Sequence, residues 1–174
     1  PAVDGYPFES LCGTAVAWKL ACALRGEVAG TGSADVLTRR VSGDPAPATF
    51  PGTDADLDLV ALATVADVVP LVGENRSLVK RGLEEVRRAK RPGIRALLES
   101  AKCDPSQLDE GDLAFRLAPR INAAGRLYRA DAGVELFLTE DEGRAAEIAQ
   151  ELSRANGERR ATERHLRATR RRVV

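Results

Sequence analysis

The chain has 174 residues, 44% of them hydrophobic and only 4% aromatic, which fits one domain, or a large part of one, around an aliphatic core. Lysine plus arginine and aspartate plus glutamate balance at 26 each, so net charge points to no nucleic-acid partner. Three cysteines (Cys12, Cys22, Cys103) without a CxxC spacing argue against a zinc site or a disulfide framework and fit a reducing compartment.

In chain order, residues 8–24 (FESLCGTAVAWKLACAL) carry apolar side chains at 8, 11, 15, 18 and 22 and again at 12, 16, 20 and 24. Two apolar stripes predict a mostly buried helix, with Trp18 in the core. Residues 25–56 are rich in Gly, Thr, Ser, Pro and Asp and read as a long surface loop. The GTGS at 30–33 lacks the Gly-Lys-Ser/Thr ending of a phosphate loop and reads as linker. Residues 57–72 (LDLVALATVADVVPLV) predict a buried helix ending near Pro70. Residues 75–90 predict an amphipathic helix with Leu78, Val79, Leu83 and Val86 inward. Pro92 stands at the first position of a short helix, and Asp104-Pro105 repeats the device, with Asp104 as N-cap and Gln107 placed to reach back.

Residues 111–118 read as helix broken by Pro119, and a short helix follows near 131–138. Thr139-Glu140-Asp141-Glu142 reads as a capping box that opens a long helix with an inner stripe of Ala145, Ile148, Ala149 and Leu152. Strand signals are nearly absent, so the expected class is mainly α. No run reaches about 18 uninterrupted apolar residues, and no charged segment leads into an apolar one at the N-terminus, so neither a membrane span nor a signal peptide is expected. The chain has no methionine and stops at Val173-Val174 inside a helical pattern, from which a fragment of a longer protein is expected.

Two places carry candidate chemistry. Asp67 is the one ionisable residue between Leu59 and Val72. A buried carboxylate costs several kcal/mol unless compensated, so Asp67 caps the helix and reaches water, pairs with an arginine, or binds a hard cation such as Mg²⁺ or Mn²⁺. Thr64 shares its helical face and is placed to hydrogen-bond it. The second place is FRLAPRINAAGRL (115–127). Arg120, Asn122 and Arg126, spaced by small residues after Pro119, form either an anion pocket on a tight turn or a helix–helix junction whose arginines pair with Asp109, Glu110 and Asp112. From Arg154 to Val174 the chain holds eight arginines and two glutamates, which suits either a nucleic-acid backbone or a solvated helix face. His165, the only histidine, has no second ligand near it in sequence and reads as neither ligand nor base.

Five segments, YPFESLCGTAVAWKLACAL (6–24), DLDLVALATVADVVPL (56–71), NRSLVKRGLEEVRR (75–88), RPGIRALLE (91–99) and LAFRLAPRINAAGRL (113–127), come in the order and spacing of one family. Together they resemble the RecJ single-stranded-DNA-specific exonucleases of the DHH phosphoesterase superfamily. The resemblance implies that residues 1–138 are the C-terminal helical part of an α/β DHH phosphoesterase domain, with 25–56 a variable loop. Residues 139–174 would begin the long interdomain connecting helix. It implies a 5′→3′ exonuclease of single-stranded DNA, cytoplasmic, acting in DNA repair and recombination, with a two-metal Mn²⁺ or Mg²⁺ site and single-strand-binding protein as a partner. Asp67 then matches a metal ligand and catalytic residue, and Arg120, Asn122 and Arg126 become candidates for substrate phosphate or site architecture, Arg126 first for DNA contact. The DHH motif and the aspartate motifs before it are absent, Ala63 stands where the family usually has Gly, and Trp18 where Phe is usual. A chain with one ligand of the cluster is expected to be inactive by itself. The alternatives are another DHH phosphoesterase, acting on oligoribonucleotides or small phosphates, and a non-enzymatic basic helical module that binds nucleic acid.

Overall fold

The structure is a computed structural model, and it describes residue 8 and residues 10–28, 56–125 and 131–170. The GTGS segment, Arg126 and most of the expected 25–56 loop lie outside them. Every regular element among the described residues is helical: α1 (Gly13–Val28), α2 (Leu57–Ala66), α3 (Gly73–Arg88), α4 (Pro92–Ala101), α5 (Ala118–Ala124), α6 (Ala132–Leu138) and α7 (Glu142–Arg170), with shorter turns between α4 and α5. Contacts divide the chain into two compact units, Pro1–Arg87 and Arg88–Val174.

In the first unit α1 packs on α2. Its core joins Cys12, Ala15, Trp18 and Cys22 to Leu57, Val60 and Leu78. Trp18 is buried as its place in the pattern predicts, but only one stripe of α1 is covered: Val16, Leu20 and Leu24 are exposed. A second apolar stripe shows that a helix can be covered twice; whether it is depends on what lies across from it. Helix α3 turns Leu78, Val79, Leu83 and Val86 inward, as its periodicity requires. Gly82 faces the Leu57 carbonyl so closely that a Cβ there would clash with backbone.

The second unit is built on α7, which packs against α4, α5 and α6 through Ala145, Ile148, Ala149 and Leu152, all buried. The first half of the long helix is thus part of this unit's core. Pro92 opens α4 at its first turn, where the missing N–H is not needed. Gly93 lets α4 lie directly on the Leu136 carbonyl of α6.

Three local expectations fail for physical reasons. Asp104 is the N-cap and Pro105 opens the element, as expected, but what they open is only a 3₁₀ turn, Pro105–Gln107, and not a longer helix. The Asp104 carboxylate accepts from the Ser106 N–H and Oγ, both at 2.9 Å, and Gln107 bonds back through its main-chain N–H to the Asp104 carbonyl at 3.1 Å. Leu108, extended and fully buried, then takes the chain out of the turn. Pro119 does not break its helix: Glu110–Asp112, a π-turn at Leu113–Leu117 and α5 follow one another without interruption. The π-turn's wider hydrogen-bond pattern removes the need for an N–H at Pro119. The long helix is capped by Asp141, whose Oδ1 accepts from the Arg144 N–H at 2.7 Å, while Thr139 Oγ1 accepts from the Asp141 N–H at 3.2 Å. The cap therefore falls two residues later than the Thr139 capping box.

Candidate active site

Helix α2 stops at Asp67, three residues before Pro70. The Asp67 N–H still bonds the Ala63 carbonyl at 2.9 Å, and Val68 then turns left-handed at φ 56, its N–H reaching the Val65 carbonyl at 3.2 Å. A β-branched residue in that region is strained by about 1–2 kcal/mol. Two neighbours hold it there. Val69 packs against the core, and the Asn75 side chain, fully buried, donates through Nδ2 to the Pro70 carbonyl at 3.0 Å and the Ser10 carbonyl at 2.7 Å. Sequence reading missed Asn75. Its only signal is a polar residue at the inner side of an amphipathic helix.

The turn puts Asp67 on the surface, so its carboxylate is exposed, not buried as the apolar run suggested. Thr64 does not support it. Its hydroxyl donates to the Val60 carbonyl at 2.7 Å and lies 3.3 Å from Cys12 Sγ, inside the core. No described side chain bonds the Asp67 carboxylate. It stands at a helix C-terminus, where the free carbonyls already gather negative charge, so a nearby cation is favoured there. An exposed carboxylate is a donor of the kind Mg²⁺ and Mn²⁺ take. Asp67 fits as one ligand of such an ion; among the described residues no group of three His, Cys, Asp or Glu could hold a metal by itself.

Of the second segment's arginines, Arg116 and Arg120 fall on a helix rather than on a tight turn. Arg120 is half-buried and turned inward. It donates to the Arg116 carbonyl, to Ser153 Oγ at 3.3 Å and to the Ser100 carbonyl at 3.5 Å, which ties α5 to α7 and α4. Burial pushes its guanidinium below the usual arginine range, with Arg116 and Arg160 adding to the fall. Arg116 takes the ion pair with Asp112 at 2.8 Å and caps α4 by donating to the Ala101 and Lys102 carbonyls at 2.8 and 2.6 Å. Of the two readings of this segment, the junction describes Arg116 and Arg120. Asn122 is exposed on α5, and His165 is exposed on α7. Among the described residues no helix is long and apolar enough to cross a membrane.

No protein-family model matches the chain. Curated relatives do. The single-stranded-DNA-specific exonuclease RecJ of Salmonella typhimurium is 45% identical over 164 residues, 94% of this chain and 27% of its own length. RecJ of Escherichia coli is 43% identical over 91% of this chain and 26% of its own length. Among solved structures, RecJ of Thermus thermophilus in complex with Mg²⁺ superposes with a TM-score of 0.76 at 34% identity, over 95% of this chain and 23% of that one. A RecJ bound to manganese gives the same TM-score at 33% identity, over 37% of its length. The chain spans about a quarter of the length of the curated relatives it matches first. In sequence and in helical fold alike, the chain corresponds over nearly its whole length to an internal portion of RecJ.

Proposed function

We propose that the chain is the part of a metal-dependent exonuclease of single-stranded DNA that supplies Asp67 to the metal site. The observation that carries this reading is an exposed carboxylate held at a helix C-terminus by a strained, clamped turn, in a chain 45% identical to RecJ over 94% of its length. Strained backbone persists only where its surroundings over-determine it, and such places cluster at functional sites.

Divalent ions at such a site polarise phosphoryl oxygens and lower the pKa of bound water. The chain's own residues do the rest of what falls to it. Asp67 supplies one carboxylate, aimed by the Asn75 clamp. Arg120 and Arg116 hold the helix junction and so fix where α5 presents Asn122, whose exposed amide is available to a phosphate oxygen. Arg126 remains the proposed first contact with DNA. For the complete protein we extend the reading to 5′→3′ polarity, work in DNA repair and recombination, a cytoplasmic location and single-strand-binding protein as a partner. The same holds for residues 1–138 as the C-terminal part of a DHH phosphoesterase domain that passes into the start of a long connecting helix over 139–174. With Asp67 as its one candidate ligand, the 174-residue chain is expected to be inactive by itself, and among the described residues no group of three His, Cys, Asp or Glu could hold a metal.

The test is hydrolysis of 5′-phosphorylated single strands by the complete gene product with Mn²⁺, beside Asp67→Ala. The variant is expected to lose more than about 100-fold in rate while keeping its affinity for DNA measured without metal. Wild-type rates in Asp67→Ala would end the reading.

A further inference from the structure

Between the π-turn and the second half of α7 lies an open groove of about 740 Å³ lined by Phe115, Pro119, Gly157, Arg160, Glu163 and Arg164. Phe115 is 78% exposed, although Leu113 and Leu117 on either side of it are fully buried. Leaving a phenylalanine ring in water forgoes about 2 kcal/mol of burial, so its ring face is open to a partner. Opposite it, Gly157 has nothing within 4 Å of where a Cβ would stand, so the wall is bare backbone there.

The charges are arranged unevenly. Arg159 Nη1 pairs with Glu163 Oε1 at 2.5 Å, and its Nη2 bonds Asn156 Oδ1 at 3.1 Å, which occupies the groove's one carboxylate. Arg160 and Arg164 stay exposed, one turn apart, and no carboxylate among the described residues pairs with either. Arg164 Nε donates to the Arg160 carbonyl at 3.3 Å, which leaves its two Nη groups for a ligand. Like charges at i,i+4 disfavour the helix slightly, and an anion between them removes that penalty.

An open aromatic face, two guanidiniums without a carboxylate and a bare backbone wall match one ligand chemistry. Unpaired bases stack on aromatic rings without sequence preference, and arginine forks take phosphate oxygens two at a time. A duplex keeps its base faces covered and cannot use the ring. We propose that this groove is a single-strand subsite, in which a base stacks on Phe115 and neighbouring phosphates pair with Arg160 and Arg164. The proposal rests on the exonuclease reading for the identity of the strand, and it adds a subsite built from residues other than Asp67.

The test uses the complete protein carrying Asp67→Ala, without divalent metal, and a fluorescein-labelled oligothymidylate followed by anisotropy through a salt series. Phe115→Ala is expected to weaken binding about tenfold with an unchanged salt slope. Phe115→Trp restores the affinity and Phe115→Leu does not. Arg160→Gln with Arg164→Gln is expected to flatten the slope of log K against log salt by about 1.4, two single-strand phosphate contacts. Wild-type affinity in Phe115→Leu would overturn the proposal and assign the ring to packing against another part of the complete protein. So would an unchanged slope in the arginine pair, or equal binding of a duplex with the same dependence on Phe115. Because binding is read without hydrolysis, a complete protein that fails to cut DNA undermines the exonuclease reading and leaves this measurement standing. Unchanged binding in the groove variants beside Asp67-dependent cutting does the reverse.

Discussion

Asn75 Nδ2 donates to the carbonyl of Pro70 across 3.0 Å, from a side chain with no exposed surface. That bond links α3 to the turn that carries Asp67, and a second, to Ser10 at 2.7 Å, brings in the entry to α1. Asn75→Ala leaves two main-chain carbonyls without their donor. It is expected to cost about 1–3 kcal/mol in urea unfolding and to lower hydrolysis by the complete protein with Asp67 intact. A stable variant of normal activity would show that Val69 and Pro70 fix the turn without the clamp.

Val68 is 87% exposed and left-handed, so its side chain contributes strain and little burial. Val68→Asn is expected to raise stability by about 1 kcal/mol, because asparagine tolerates this region. Val68→Gly gains less, since glycine also loosens the unfolded chain. Thermal unfolding decides it, and a lowered midpoint in both variants would refute the strain.

Two glycines with opposite surroundings make a paired prediction. Gly82→Ala drives a methyl into the Leu57 carbonyl and close to Ala61, and is expected to cost about 1–3 kcal/mol. Gly157→Ala meets open space in the middle of α7 and is expected to add about 0.5–1 kcal/mol. Midpoints that move in the same direction would contradict the packing described for α3 on α2.

Asp104 accepts bonds from Ser106 that hold its carboxyl below the usual aspartate range, the main-chain N–H contributing most. A depressed folded value means that the carboxylate adds stability at pH above the unfolded value, near 4, and that this is lost as pH falls through the folded value. Asp104→Ala is therefore expected to be less stable than wild type at pH 7, with the gap closing below about pH 4. Denaturant midpoints at pH 7 and pH 3 measure it. A gap that persists at low pH would mean the cap is not electrostatic.

Periodicity and proline placement made much of the helical layout legible before any coordinates. Leu78, Val79, Leu83 and Val86 repeat at the helical period with charge between them, and a helix so patterned has one way to face a core. Pro92 could stand only in a first turn. Ala145, Ile148, Ala149 and Leu152 mark the inner face of α7 in the same way. Where two local signals compete, the pattern is silent. Thr139 and Asp141 are both good caps, and the chain uses the one nearer the point where α7 meets the unit's core. Pro119 signals a break, but a π-turn upstream absorbs the missing N–H.

The site divides along the same line. Sequence singled out Asp67 as the lone acid of an apolar run and marked the arginines after Pro119 as functional or architectural. Only the tertiary structure turned Asp67 to the surface, since that depends on Val69 reaching the core, on Asn75 bonding both Pro70 and Ser10, and on a turn no local preference would choose. Only the packing of α5 on α7 sent Arg120 inward and left Phe115, Arg160 and Arg164 facing a common groove. Local sequence determines which residues can share a helix face. Which faces are covered, and which charges are left without partners, depends on contacts between residues far apart in the chain, and those are settled when the helices pack.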